Sequence, residues 1–257
     1  MATRLSLVLT TLDNAGTLAA AIRSVPFADE VLVLDSHSSD DTVEIARTLG
    51  GRVVQESFRG YGPQKQRAVD LAAPDWVLLL DADEAVDEVL AAAICETLSV
   101  GPRAAGYRLR REEWLYWRWP APGTGLTDHL RLFDRRRMRM SEHPVHAAPV
   151  VDGPVAVLPG RLRHYGQRDL DAQVARINDY SSQAAAWRIA RGRPLAGLRL
   201  LLAPPLAFLR EYLLRRQFLN GWAGLINARV AEFHALLRHA KEMEARRRPS
   251  GGPGPGD

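Results

Sequence analysis

The chain has 257 residues, 46% hydrophobic and 25% charged. These values exclude a mainly disordered, collagenous or coiled-coil protein and leave room for one large α/β domain, or a core of roughly 180–200 residues with an appendage. The formal net charge of +4 rests on arginine, because Lys65 and Lys241 are the only lysines, and the single cysteine, Cys95, excludes an intramolecular disulfide scaffold and a cysteine-built zinc site and points to a reducing compartment.

In chain order, LSLVLT at Leu5–Thr10 is an apolar run of β-formers. It has no cleavage-site pattern and is a strand rather than a signal peptide. LAAAIRSV, with Leu18, Ile22 and Val25 on one face, predicts the first helix. Val31–Leu34 is a second strand ending at Asp35, and Ser39/Asp40 caps a helix through Leu49. Val53-Val54 starts a brief third strand, and a helix follows from Gln64 to Ala72. The apolar run Asp75–Leu80 stops at Asp81-Ala82-Asp83, and another helix is expected from about Ala85 to Leu98. Strands apolar on both faces, alternating with helices, predict a mainly parallel sheet flanked by helices, with ligands beyond the carboxyl ends of the strands.

From Gly106 to Val157 the texture changes. Short strand candidates (Tyr107–Leu109, Leu130–Phe133, Val155–Leu158) accompany ten arginines between Arg103 and Arg139 and predict antiparallel strands completing the same domain. The chain is then helical from Leu170 to about Arg248, and Pro249–Asp257 is a Gly/Pro tail expected to be disordered. The longest apolar stretch, Leu195–Leu209, is broken by Arg199 and Pro204-Pro205 and falls short of the ~20 residues of a spanning helix.

Three polar clusters fall at predicted strand ends or helix starts. D-A-D-E at Asp81–Glu84 places two carboxylates where they can reach one divalent cation, Mg²⁺ or Mn²⁺, whose remaining positions substrate phosphates and water would fill. The competing reading is that Asp83 caps the next helix. D-S-H-S-S-D-D-T at Asp35–Thr42 offers a carboxylate for a base or ribose, or else a capped turn that leaves Asp35 without a task. G-Y-G-P-Q-K-Q-R at Gly60–Arg67 sets Lys65 at a helix start, an anion site in the making or an exposed loop. No G-x-G-x-x-G follows the first strand and no P-loop occurs, so a nucleotide must be held differently.

The order of these features resembles glycosyltransferase family 2, the nucleotide-sugar transferases of the GT-A fold, and in particular the small bacterial enzymes similar to lipopolysaccharide core β-glucosyltransferases. The matching stretches are LSLVLTTLDNAGTLAAAIRSV, ADEVLVLDSHSSDDTVEIA, RGYGPQKQRAVDLA, DWVLLLDADEAV, DHLRLF, the HPVH region, RLRHYGQRDLD and FLNGWAGLINA. The resemblance implies a catalytic domain at residues 1–168, with a nucleotide-binding half at about 1–100 and an acceptor half at about 101–168. A helical region at 169–248 and the tail at 249–257 follow. It also implies that Asp35 contacts the base, that Lys65 lies in the nucleotide pocket, and that Asp81 and Asp83 form the metal-binding D-x-D; Thr10 joins the nucleotide set at the end of the first strand.

Three departures stand out: Asp13-Asn14 in place of Asn-Glu, Ala147 in place of the glutamate of Val-His-Glu, and Asn220-Gly221 in place of Asp-Gly.

Inverting transfer needs a base within hydrogen-bond reach of the acceptor hydroxyl. Asp128, before LRLF, is the first candidate, with Glu142 and His146 in reserve and an ordinary ion pair as the competing role for Asp128. Trp114, Trp117 and Trp119 offer stacking faces for an acceptor sugar, a membrane-interface loop, or core packing. Leu198, Leu200–Leu202, Leu206, Phe208-Leu209 and Leu213-Leu214, flanked by Arg199, Arg210, Arg215 and Arg216, match a helix lying on anionic lipid as well as one packed on a basic domain. The expected partners are therefore a nucleotide-diphosphate sugar, a glycan or lipid-linked acceptor and a peripheral membrane contact, with no nucleic acid. The expected location is the cytoplasm, at the inner face of the plasma membrane. Two alternatives are a sugar nucleotidyltransferase, which lacks its Gly-rich basic loop here, and a basic nucleic-acid-binding protein, which leaves the carboxylate clusters unexplained.

Overall fold

The computed structural model describes residues 3–141, 148–166, 170–192 and 195–247. They form two compact units: Met1–Glu113 with Leu126–Gly166, and Trp114–Gly125 with Gln167–Asp257. The tail at 249–257 lies outside the described residues.

In the first unit, β1 (Leu5–Thr11) lies between β2 (Glu30–Asp35) and β4 (Trp76–Asp81), parallel to both, and β3 (Arg52–Gln55) extends this parallel half. Helices α1 (Leu18–Arg23), α2 (Thr42–Thr48), α3 (Tyr61–Leu71) and α4 (Glu88–Val100) connect or follow these strands. Because β1 and β4 are buried on both faces, alternate side chains feed two cores: Leu5, Leu7, Leu9, Leu78 and Leu80 in one, and Val8, Val77, Leu79, Ala68 and Val69 in the other. Beyond β4 the sheet turns antiparallel through β7 (Thr127–Asp134) and β6 (Gly106–Glu113). It continues to β11 (Leu162–His164) and β5 (Glu84–Val86), while β10 (Val155–Val157) pairs separately with β6. A two-stranded ribbon of β8 (Met138–Met140) and β9 (Pro149–Val151) completes the unit. The fold is thus the expected α/β sheet with flanking helices, parallel in its first half and mixed in its second, where β10 runs parallel to β6 instead of antiparallel.

The starts of α2, α3 and α4 differ from expectation, α3 beginning at Tyr61. Residues 84–86 form β5, and α4 begins only at Glu88, capped by Asp87, whose Oδ1 accepts the Leu90 N–H at 2.8 Å. At α2 no side chain caps the helix. Asp40 instead accepts the N–H groups of Thr42 and Ala15, both at 3.0 Å, and so ties two loops together.

The second unit contains α5 (Leu170–Ala190), α6 (Ala196–Leu209), a π-helical turn (Arg210–Leu214), a 3₁₀ turn (Gln217–Asn220) and α7 (Gly221–Arg247). Segment Trp114–Gly125 belongs to this unit rather than to a continuous 101–168 half, because its partners are there. Tyr116 Oη donates to Gln173 at 3.0 Å, and the Ala121 N–H donates to Asn220 Oδ1 at 2.6 Å. Asn220 is 1% exposed, and its amide also donates to Thr124 Oγ1 and Gln217 Oε1. A carboxylate could not supply those donated bonds, which accounts for asparagine where the resemblance has aspartate. Gly221 follows at φ +59°, and a Cβ on Gly224 would stand 1.8 Å from the Gln217 carbonyl oxygen. The stretch FLNGWAGLINA is therefore a packing motif.

Candidate active site

Parallel register brings the carboxyl ends of β1, β2 and β4 to one edge of the sheet. Thr10 lies beside Asp81, and Thr11 beside Asp35. Asp81 is clasped by two cations, Lys65 Nζ from α3 at 2.5 Å and Arg131 Nη2 from β7 at 2.8 Å. Burial opposes its ionisation, but Arg131 and Lys65 outweigh that and hold the carboxyl far below the usual range. Glu84, wholly buried, accepts from Arg131 at 2.7 Å, from Arg111 at 3.3 Å and from the Asp81 N–H at 3.0 Å. Burial likewise opposes the Arg131 charge, and Glu84 and Asp81 reverse this, so the guanidinium is held more firmly protonated than usual.

Asp83 is free of helix capping, since Asp87 fills that role. Its backbone carbonyl accepts the Tyr165 N–H at 2.9 Å, and its Oδ2 lies 3.3 Å from Nε2 of His164, the last residue of β11. The other ring nitrogen of His164 pairs with Glu113, whose second oxygen is 2.8 Å from Arg111. Burial disfavours the imidazolium, yet Asp83 and Glu113 push its pKa up to about 10. Burial also works against Asp83, where the His164 bond prevails and lowers the pKa. Among the described residues no group of three His, Cys, Asp or Glu side chains is arranged to hold a metal alone. Asp83 Oδ2 and His164 Nε2 nonetheless face each other, with Asp81 two residues away, and a cation that displaced the imidazolium proton would find one oxygen and one nitrogen donor there. A cation with few protein ligands, completed by phosphate oxygens and water, fits such a set.

Asp35 is fully buried in a separate set: the Ser38 N–H and Gln55 Nε2 donate to Oδ2, each at 3.0 Å, and the Ser38 hydroxyl donates to Oδ1. Around it the loops after β1 and β2 are laced by side chains. The Asp13 N–H donates to Ser38 Oγ at 2.9 Å, Asp13 Oδ1 accepts the Ser39 N–H at 2.7 Å, and the Asn14 N–H donates to Thr42 Oγ1 at 2.8 Å. The polar run after β2 is therefore a brace between two loops as well as a candidate recognition element. Lys65 sits in the second turn of α3, not in a loop, because the helix already starts at Tyr61.

Asp128 does not join the carboxylates. It is the second residue of β7 and exposed, and strand alternation puts Thr127 and His129 on the face of Arg111, the cross-strand partner of Thr127 that reaches Glu84, and Asp128 on the opposite face. The 2.9 Å contact between Thr127 Oγ1 and His129 Nε2 fixes that parity. Glu142 and His146 lie outside the described residues. The tryptophans belong to the helical unit: Trp114 and Trp119 pack edge to face at 5.0 Å between centroids, and Trp117 is 58% exposed. A cavity of about 520 Å³, lined by Arg23, Asp29, Glu30 and Arg52 among others, lies at the start of β2, away from the carboxyl edge.

Sequence reasoning missed Arg131, Glu84, Glu113 and His164 as site members. The available signal for Arg131 was a cation inside the apolar run LRLF, since a buried charge must be paired. His164 lay in the matching stretch RLRHYGQRDLD, but nothing in those residues indicates what the ring faces.

Residues 6–149 match the family described as Glycosyl transferase family 2. An uncharacterized glycosyltransferase of Rickettsia prowazekii (strain Madrid E) is 30% identical over 253 residues, covering 93% of this chain and 86% of that protein. The lipopolysaccharide core biosynthesis glycosyltransferase LpsC of Rhizobium meliloti (strain 1021) is 29% identical over 251 residues, covering 92% of this chain and 91% of that one. A crystal structure of glucosyl-3-phosphoglycerate synthase from Mycobacterium tuberculosis with Mn²⁺, UDP-glucose and phosphoglyceric acid is 25% identical, covers 44% of each chain and superposes with a TM-score of 0.34.

Proposed function

Because the chain belongs to glycosyltransferase family 2, we propose that it moves a sugar from a nucleotide-diphosphate donor to a glycan or lipid-linked glycan acceptor. The transfer is an inverting, divalent-metal-dependent displacement in lipopolysaccharide or other cell-envelope polysaccharide synthesis. Family membership removes the sugar nucleotidyltransferase alternative, and similarity along nearly the whole of LpsC supports the biosynthetic setting. The observation that carries the mechanistic reading is the Asp83–His164 pair at the strand ends, beside an Asp81 kept anionic by Lys65 and Arg131.

In this reading Asp83 and His164 hold the divalent cation, Mg²⁺ or Mn²⁺, which when bound neutralises the diphosphate leaving group. Asp81, ionised and fixed by two cations, accepts a hydrogen bond from a donor hydroxyl, with Thr10 beside it. Lys65, ion-paired with Asp81 and partly exposed, is the cation assigned to the donor phosphate in this reading. Asp35 accepts from the base once Gln55 or the Ser38 hydroxyl yields its place. The acceptor hydroxyl loses its proton to a general base as it attacks the anomeric carbon. Since Asp128 is on the opposite sheet face, Glu142 and His146 compete with it for that role. Exposed Trp117 offers the acceptor a stacking surface.

The test is transfer activity together with thermal shift by nucleoside diphosphates, with and without Mn²⁺. Asp83→Ala is expected to lose about 10³-fold or more in turnover, along with the Mn²⁺-dependent part of the nucleotide-induced shift, while its ligand-free melting temperature falls only modestly because His164 keeps Glu113. Chelation of the wild-type protein should give the same two losses. Wild-type turnover in Asp83→Ala would overturn the metal-site reading. Comparing Asp128→Asn, Glu142→Gln and His146→Ala at saturating donor identifies the base as the variant that loses ~10²–10⁴ in transfer while donor affinity holds.

A further inference from the structure

Helix α6 has two unlike sides. Pro204 and, in the π-helical turn that continues it, Glu211 are buried, and Phe208 lies under the Arg229 guanidinium at 4.3 Å. On the other side Leu198, Leu202, Leu206, Leu209 and Leu213, spaced by three or four residues, are 45–59% exposed, and Trp222 at the start of α7 is 75% exposed. Such a row is one continuous stripe of a helix, and a leucine stripe left in water marks a surface that meets something apolar.

Charge decides what that is. From Leu195 to Trp222 the only acidic residue is Glu211, which is 5% exposed and spent on Arg210 at 2.9 Å and Arg215 at 3.3 Å. Arg210, Arg215 and Arg216 are exposed beside the stripe. A second copy docked face to face would set these arginines near their own counterparts, whereas an anionic bilayer accepts leucines and arginines together. No helix of the described residues is long and apolar enough to cross a membrane, and α6 has 14 residues, which suits lying in the interface plane. We infer that the exposed leucine side of α6 and its π-helical continuation docks on an anionic lipid surface, with the arginines at headgroup phosphates and Trp222 at the interfacial level. This inference rests on the helical unit alone and stands whether or not the transfer chemistry proposed above is right.

The experiment is flotation of the full chain with phosphatidylcholine vesicles, with and without phosphatidylglycerol. Binding is expected only with the anionic lipid and should fall with added salt. Leu206→Gln/Leu213→Gln should cut partitioning by about a hundredfold, and Arg215→Gln/Arg216→Gln by about tenfold, both with wild-type circular dichroism. Should a variant fail to fold, brominated lipid provides a second measurement: it should quench wild-type tryptophan fluorescence more than that of Trp222→Phe. Absence of binding, equal binding to neutral vesicles, or a dimer in lipid-free light scattering that Leu206→Gln/Leu213→Gln converts to monomer would each overturn the inference, the last by making this face a self-interface.

Discussion

Arg131 is 4% exposed, and its Nη2 bridges Asp81 and Glu84. Removing it would leave Glu84 fully buried with only Arg111 and one backbone N–H. Arg131→Met is therefore expected to cost about 3–5 kcal/mol of stability, measured by urea unfolding. Arg131→Lys should recover only part of this, since a single ammonium cannot fork between two carboxylates. A wild-type urea midpoint for Arg131→Met would show that the buried ion pair contributes nothing net to stability. The contrast with Asp83→Ala, which should lose activity far more than stability, separates support of the site from its chemistry. The D-A-D-E end was legible because carboxylates closing an apolar strand are conspicuous. Arg131 and His164 were not, because Arg131 meets Glu84 across 47 residues and local spacing carries no record of such pairings.

At the scale of elements, the βαβα half was legible from long apolar runs, whereas β5, β8, β9, β10 and β11 are three residues each and too short to show a period. Helix α3 begins three residues before its expected start because Gly62 and Pro63 suggest a loop, yet proline is tolerated in a first helical turn, where its missing N–H would have no partner. The true cap of α4 makes a discriminating case: Asp87→Ala should lose about 1 kcal/mol by thermal or urea unfolding with transfer activity intact. The α7 start is stricter. In Gly224→Ala the new Cβ meets the Gln217 carbonyl oxygen, so the 3₁₀ turn must shift, and a loss of more than about 2 kcal/mol is expected. Unchanged unfolding of Gly224→Ala would mean that the turn yields freely.

At the scale of the whole molecule, the buried and part-buried histidines with lowered pKa shape the response to acid below pH 6.5. Burial, with Arg111 and Arg131 nearby, lowers the His129 pKa to about 3, and burial displaces His234 and His239 in the same direction. The unfolded chain takes up a proton near pH 6.5 that the folded His129 refuses until about pH 3, so this contribution to stability is lost progressively as pH falls through that window. Melting temperature should decline between pH 6.5 and 5, above the range where unpaired carboxylates titrate, and His129→Gln should flatten part of the decline; an unchanged slope would place the proton uptake elsewhere. A different consequence follows from the membership of Trp114–Gly125 in the helical unit. Ala121 is synthesised 99 residues before the Asn220 side chain that receives its N–H, a delay of about 5–20 s at ordinary elongation rates. During that interval three tryptophans wait on a nascent chain for partners not yet translated, and a ribosome stalled before Gln217 would hold out an aromatic segment for a chaperone to shelter.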